Sequence, residues 1–163
     1  MAKVKNAIDK IRIIIQDTGA RKYSDYELIN YLNDACDTVA MELITDRDDT
    51  MIRVQVFKQG DTLPDDFVEF VGQMPFRLEG GVVQLDYEPQ VEARYWAKFP
   101  LLKTTDDVLP YMPIYASTIA KLTGLYAMSR DTGKMDAEAI ASVQADITYI
   151  RKRLRTLEPT ETV

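Results

Sequence analysis

The stretch Met51-Ile52-Arg53-Val54-Gln55-Val56-Phe57 decides the fold class. Upstream of it apolar residues recur every three or four positions, the spacing of one helix face. Within it Ile52, Val54 and Val56 alternate with Arg53 and Gln55, the two-residue period of a strand. On its N-terminal side the polar run Asp46-Arg47-Asp48-Asp49-Thr50 reads as a loop. Before that, Leu28, Leu32, Ala35, Val39 and Leu43, flanked by Ile29 and Cys36, form a wide apolar stripe that predicts a helix over 24–45. Ser24-Asp25-Tyr26-Glu27 marks its start as a capping box: the Ser24 hydroxyl accepts from the Glu27 amide, and the Glu27 carboxylate accepts from the Ser24 amide. Val4, Ile8, Ile11 and Ile15 share one face of an earlier helix over 2–17, with Lys5, Asp9 and Arg12 largely off that face. Thr18-Gly19-Ala20 breaks it, Gly19 supplying the left-handed residue.

On the C-terminal side the strand pattern continues. Gly60-Asp61 turns the chain, Leu63-Pro64-Asp65-Asp66-Phe67 bends it, and Val68 to Val71 is again apolar. Gly80-Gly81 signals a hairpin between Phe76-Arg77-Leu78 and Val82 to Tyr87, and residues 91–96 alternate once more. A β region over about 51–97 follows. Helical spacing then returns over 113–130, with Pro110 and Pro113 at the entry and Asp131-Thr132-Gly133 at the exit. Ile140, Val143, Ile147, Ile150, Leu154 and Leu157 trace a last helix over 136–157, which Pro159 stops. The expected fold is α+β: a bundle of four main helices with a small antiparallel sheet inserted between the second and third. It occupies a single domain over 1–158, followed by a mobile tail at 159–163.

A chain of 163 residues, 46% hydrophobic and 28% charged, has the make-up of one globular domain. Its single Cys36 rules out an internal disulfide and reads as a small core residue rather than a reactive thiol. The longest apolar run, such as Ile13-Ile14-Ile15, falls far short of the roughly 20 residues that cross a bilayer. Asn6, Asp9, Lys10 and Arg12 interrupt the start where a secretory signal needs a continuous apolar stretch, so a cytosolic protein with no membrane partner is expected. A net charge of −6 disfavours wrapping nucleic acid through phosphate contacts. It suits solubility, and equally a surface past which DNA slides without sticking.

Little catalytic chemistry is available. There is no His, which removes the commonest general base and the commonest transition-metal ligand, and one Cys cannot build a zinc site. Neither phosphate-loop nor dinucleotide-binding glycine patterns occur. The doublets Asp48-Asp49, Asp65-Asp66 and Asp106-Asp107 lie in turns or ahead of helices, where Asp bonds to nearby backbone amides; that reading is preferred to a metal or acid-base pair. No catalytic, cofactor or metal residue is therefore assigned, and the chain is expected not to be an enzyme. A carboxylate-based metal-dependent hydrolase is the reading set aside.

Tyr95-Trp96-Ala97-Lys98-Phe99-Pro100-Leu101-Leu102 is more informative, because it stays densely apolar after strand alternation ends. Such a segment either covers its own core or forms an exposed patch of the kind that marks protein interfaces. Trp96 reads first as core and second as interface; Phe99, Leu101 and Leu102 are the leading candidates for a contact between subunits. The basic run Arg151-Lys152-Arg153 with Arg155 reads first as cations offsetting a helix C-terminus and second as a contact for an acidic partner.

Taken together these pieces resemble the head-to-tail adaptor, or connector, proteins of tailed bacteriophages. Residues 24–35, with the Asn33-Asp34-Ala35 step, look like the family's second-helix opening. Leu63-Pro64-Asp65-Asp66-Phe67 looks like its sheet bend, and Arg94 to Pro100 followed by Asp106-Asp107-Val108-Leu109-Pro110 like its strand, link and entry to the third helix. The resemblance covers nearly the whole chain. It implies a structural virion protein of the neck, made in the host cytoplasm. Copies would form a closed, dodecameric ring between the portal protein above and tail or nozzle proteins below, with DNA passing through the lumen without specific binding. It also implies a portal contact near Arg151, Lys152, Arg153 and Arg155 and the tail beyond them. The competing expectation is a non-viral α+β protein-binding module.

Overall fold

The computed structural model describes residues 1–157, and the expected tail at 159–163 lies outside the described residues. Helix α1 (Val4–Ile14) and helix α2 (Asp25–Thr45) come first, and a 3₁₀ turn at Asp49–Met51 leads into the strands. These are β1 (Ile52–Lys58), β2 (Phe67–Phe70), β3 (Arg77–Glu79), β4 (Val82–Gln84) and β5 (Gln90–Ala97). A second 3₁₀ turn at Pro113–Tyr115 opens helix α3 (Ala116–Thr132), and helix α4 (Ala137–Leu157) follows. The fold is α+β, with its antiparallel strands between the second and third helices. The chain divides into two compact units, one of Met1–Val39 with the residues from Leu101 onward, the other Ala40–Pro100.

In the helical unit α1 and α4 both pack on α3. The approach of α1 depends on Gly124, a fully buried glycine in the middle of α3. A Cβ there would stand 3.0 Å from Ile14 Cγ2 and 3.3 Å from Ile15 Cγ2. The helix therefore gives up roughly 1 kcal/mol of propensity in exchange for close packing.

Helix α1 is shorter than its apolar spacing suggests. It stops at Ile14, and the left-handed residues that turn the chain are Gln16 (φ 56°) and Ala20 (φ 52°), not Gly19. A buried ion pair explains the early stop. Arg12, expected off the apolar face, is 6% exposed. Its guanidinium donates to Asp17 Oδ2 at 2.9 Å, to the Tyr23 carbonyl at 3.0 Å and to Asp25 Oδ1 at 2.6 Å. Asp17 in turn accepts from the backbone amides of Arg21, Lys22 and Tyr23 at 2.9, 3.1 and 3.2 Å. The whole α1–α2 loop is wound around one carboxylate.

That loop is also tied to the end of α3. The Tyr23 hydroxyl donates to Asp131 Oδ2 at 2.7 Å and lies 3.0 Å from the Ala127 carbonyl. Arg130 stacks over the Tyr23 ring at 4.4 Å and pairs with Glu27. Glu27 does this while closing the capping box, its Oε2 accepting from the Ser24 amide at 2.9 Å and its own amide donating to Ser24 Oγ at 3.2 Å. Gly133 (φ 64°) then ends α3.

The β unit holds two sheets rather than one. The larger has the order β1-β5-β2, antiparallel throughout, and β3-β4 forms a separate hairpin. Gly80 and Gly81 sit at φ 58° and 79°, both positive as a type I′ turn requires. One face of the larger sheet builds an aromatic core on Phe57, with ring centroids 5.1 Å from Phe76, 6.2 Å from Phe70 and 6.4 Å from Tyr95. On the opposite face, Trp96 lies beside Ile52 and Glu69 in register. Arg47, itself at φ 59°, stacks over the Trp96 indole at 5.4 Å and pairs with Glu69.

Two stability predictions follow from these packings. Gly124→Val, which adds branched volume where Ile14 and Ile15 already crowd, should cost about 1–3 kcal/mol in urea unfolding. Acid should destabilise the fold through four carboxylates. Burial alone would raise Asp17, but its three backbone amides and Arg12 hold it below the ordinary value. Glu27 is lowered by the Ser24 amide and hydroxyl, Asp107 by the amides of Lys103 and Thr104, and Asp131 by the Tyr23 hydroxyl. Groups depressed on folding contribute stability that is fully present above the unfolded carboxylate range of about 4 and is lost as pH falls through the folded values. Burial raises Asp34 and gives it the opposite sign. Thermal unfolding followed from pH 7 to 3 should show a falling midpoint, and Asp17→Asn should lower the midpoint at pH 7 and flatten the fall.

Candidate interaction surface

Between β5 and α3 the chain runs through residues 98–112 without regular secondary structure. From Leu101 onward this link belongs to the helical unit, and its backbone is fixed at three places. At the first, Asn33 on α2 acts as a side-chain clamp. Its Nδ2 donates to the Leu102 carbonyl and its Oδ1 accepts from the Leu102 amide, both at 2.9 Å. The side-chain amide thus pairs with one residue's backbone as a neighbouring strand would.

The second fixture is Asp107. It accepts from the amides of Lys103 at 2.7 Å and Thr104 at 2.9 Å and from the Thr104 hydroxyl at 2.9 Å, which closes the link into a tight turn. The third is the start of α1. No side chain caps this helix; instead its first amides donate outward, Val4 to the Asp107 carbonyl and Lys5 to the Thr105 carbonyl, both at 2.9 Å. Leu109 returns a bond to the Ala2 carbonyl at 3.0 Å, and Lys3 pairs with Asp106 at 3.2 Å. Helix-terminal donors that ordinarily need a cap or water are met by the link itself.

The fixed backbone presents apolar side chains to solvent. Leu101 is 68% exposed, and Val108, Met112 and Ile114 are each exposed by more than 40%. Leu102 is the inward counterpart, buried at 4% beside the Asn33 clamp. Of the residues expected at a subunit contact, Leu101 is therefore open, Phe99 is half-buried, and Trp96 and Leu102 are buried within the chain. The two buried ones cannot present their side chains to a neighbour, because one is covered by Arg47 and the other faces inward from the link. Val108, Met112 and Ile114 were missed. They lie in Val108-Leu109-Pro110-Tyr111-Met112-Pro113-Ile114, where two prolines interrupt any helical or strand period, so no periodicity marks them.

The basic run is also divided. Arg151 is buried and lies on the same face of α4 as Val143 and Ile147, and burial, with Arg155 nearby, lowers its pKa. Lys152, Arg153 and Arg155 are exposed. Two of the acidic doublets hold nearby backbone, Asp48 accepting from the Thr50 amide at 3.0 Å and Asp107 shaping the link, whereas in the third Asp66 accepts from the side-chain hydroxyl of Tyr95 at 3.3 Å. Among the described residues no group of three or more His, Cys, Asp or Glu side chains is placed to hold a metal ion, and no helix is long and apolar enough to cross a membrane. Cys36 is buried, which pushes its thiol up to about 12, far from thiolate reactivity.

Comparison with known protein families finds no match, and comparison with characterised proteins finds none either. The surface is thus read from its own geometry. Removing the clamp should loosen it: Asn33→Ala leaves the Leu102 amide and carbonyl without their partners. The expected cost is about 1–3 kcal/mol, with hydrogen exchange accelerated at residues 101–103 relative to the rest of the helical unit.

Proposed function

We propose that this chain is a non-enzymatic assembly subunit of the phage head-to-tail connector kind. Its copies close into a ring that joins a portal to a tail and surrounds a DNA channel. The observation that carries the proposal is the link. An irregular segment held by Asn33, by Asp107 and by the first turn of α1 presents Leu101, Val108 and Met112, with Ile114 on the 3₁₀ turn that follows, without the entropy loss that a floppy loop would suffer on binding. Exposed apolar side chains on fixed backbone are what a protein contact needs, and a catalytic site does not require them. The order of helices and strands and the Leu63-Pro64-Asp65-Asp66-Phe67 bend, where the Phe67 amide donates to the Pro64 carbonyl at 3.0 Å, agree with the resemblance.

In this reading the apolar link packs against another protein of the assembly, and portal and tail components sit above and below the ring. The test is electron microscopy of the full chain, alone and mixed with the portal protein of the same phage. Ring particles or decorated portals are expected. Leu101→Asp combined with Met112→Asp should abolish them while the far-ultraviolet circular dichroism stays unchanged, since both side chains point to solvent. A chain that neither forms rings nor binds the portal would leave a monomeric binding module as the better account.

A further inference from the structure

Away from the link, two surfaces of opposite charge are each built around an exposed tyrosine. We propose that they bind each other between copies: the outer face of α4 on one subunit seats Tyr149 in an acidic hollow on the β unit of the next. This deepens the assembly reading and rests on it.

The chain's charge is segregated. Residues 40–100 carry twelve Asp and Glu against six Lys and Arg, a net charge of −6, while the remaining residues carry fourteen of each. The whole excess therefore lies in the β unit. There a hollow of about 300 Å³ is lined by Phe76, Leu85, Val91, Asp86, Tyr87 and Glu88. Tyr87 is 99% exposed and Met74 nearby is 56% exposed. Arg77 pairs with Asp86, but Glu79 and Glu88 keep the local balance negative. An apolar floor with acidic walls calls for a partner that combines an aromatic or aliphatic side chain with cations.

The outer face of α4 supplies that combination. Val143, Ile147 and Arg151 face inward and are buried, whereas Tyr149 on the other side is 64% exposed. Lys152 and Arg153 follow three and four residues later, so they stand on the same face as Tyr149 and are exposed too. No acid lies between Ile147 and Leu157, and Asp146 turns to Lys121 at 3.7 Å. Nucleic acid would satisfy the cations alone, but a chain of net charge −6 repels a polyanion and the hollow would stay unfilled. A second copy satisfies both surfaces. Because the two surfaces differ, each contact leaves one hollow and one helix face free, the head-to-tail arrangement that propagates until it closes. Lys152 and Arg153 thereby meet a neighbouring subunit, not the portal.

Sedimentation velocity of the full chain over a range of concentrations tests this. Wild-type protein should self-associate, and more weakly as salt is raised. Lys152→Glu with Arg153→Glu, and separately Asp86→Lys with Glu88→Lys, should each raise the dissociation constant at least about tenfold with circular dichroism unchanged. Tyr149→Ala should weaken association without changing charge. Mixed one to one, the two charge-reversed variants should associate again, because the reversed helix of the first meets the reversed hollow of the second and the native helix of the second meets the native hollow of the first. Association that survives both reversals overturns the proposed contact and leaves the assembly reading standing, as does a helix reversal that removes only portal binding. A wild-type chain that stays at its 18.6 kDa mass yet decorates the portal also overturns the contact alone. One that does neither overturns both.

Discussion

The chain leaves the helical unit after Val39 and re-enters it at Leu101, and the backbone bonds that secure this re-entry are the constraint on which the unit depends. Sixty-one intervening residues must return to a defined place, yet among the described residues the return is held by no disulfide and by no strand beyond a single antiparallel bridge between Lys3 and Val108. Instead the start of α1 donates its first amides to the link, and Asn33 pairs with Leu102. Each partner meets a need of the other: the helix lacks a cap, and the link lacks a neighbouring strand. A polar arrangement of this kind is also directional. Apolar packing alone would allow the link to slide, whereas paired donors and acceptors fix which side chains point in and which point out. Leu102 is buried and Leu101 exposed for that reason.

Much of this was legible in the sequence, and what was missed shares a physical cause. The four helices, the strand region and the Gly80-Gly81 turn follow from local rules, since each depends on residues within a few positions of one another. The Ser24-Glu27 box appears as read. Pairings distant in sequence were not legible. Nothing near Asn33 announces a partner 69 residues away, and Tyr23 meets Asp131 across 108. Arg12 looked like a surface residue because its partners, Asp17 and Asp25, lie in or beyond a loop whose path no periodicity encodes. The same holds for Gly124: a glycine inside a helix pattern signals close packing but does not say against what, and here it is Ile14 and Ile15. At the candidate surface, composition marked residues 95–102 as unusual and read Trp96 first as core, but it could not separate Leu102, which turns inward, from Leu101, which does not.

The division of charge bears on how such subunits could meet. Two β units brought face to face would oppose −6 to −6, a repulsion that short ion pairs at the edges would have to overcome. The helical unit is neutral overall, so contact between one copy's helical unit and another copy's β unit carries no such opposition, and local cations on α4 make it attractive. Electrostatics of this kind contributes more to orientation and to rejection of wrong pairings than to affinity. Like-with-like contacts build twofold dimers, and like-with-unlike contacts build rings or filaments. A chain that places its entire charge excess in one of its two units is biased against the first and toward the second, before any apolar contact is counted.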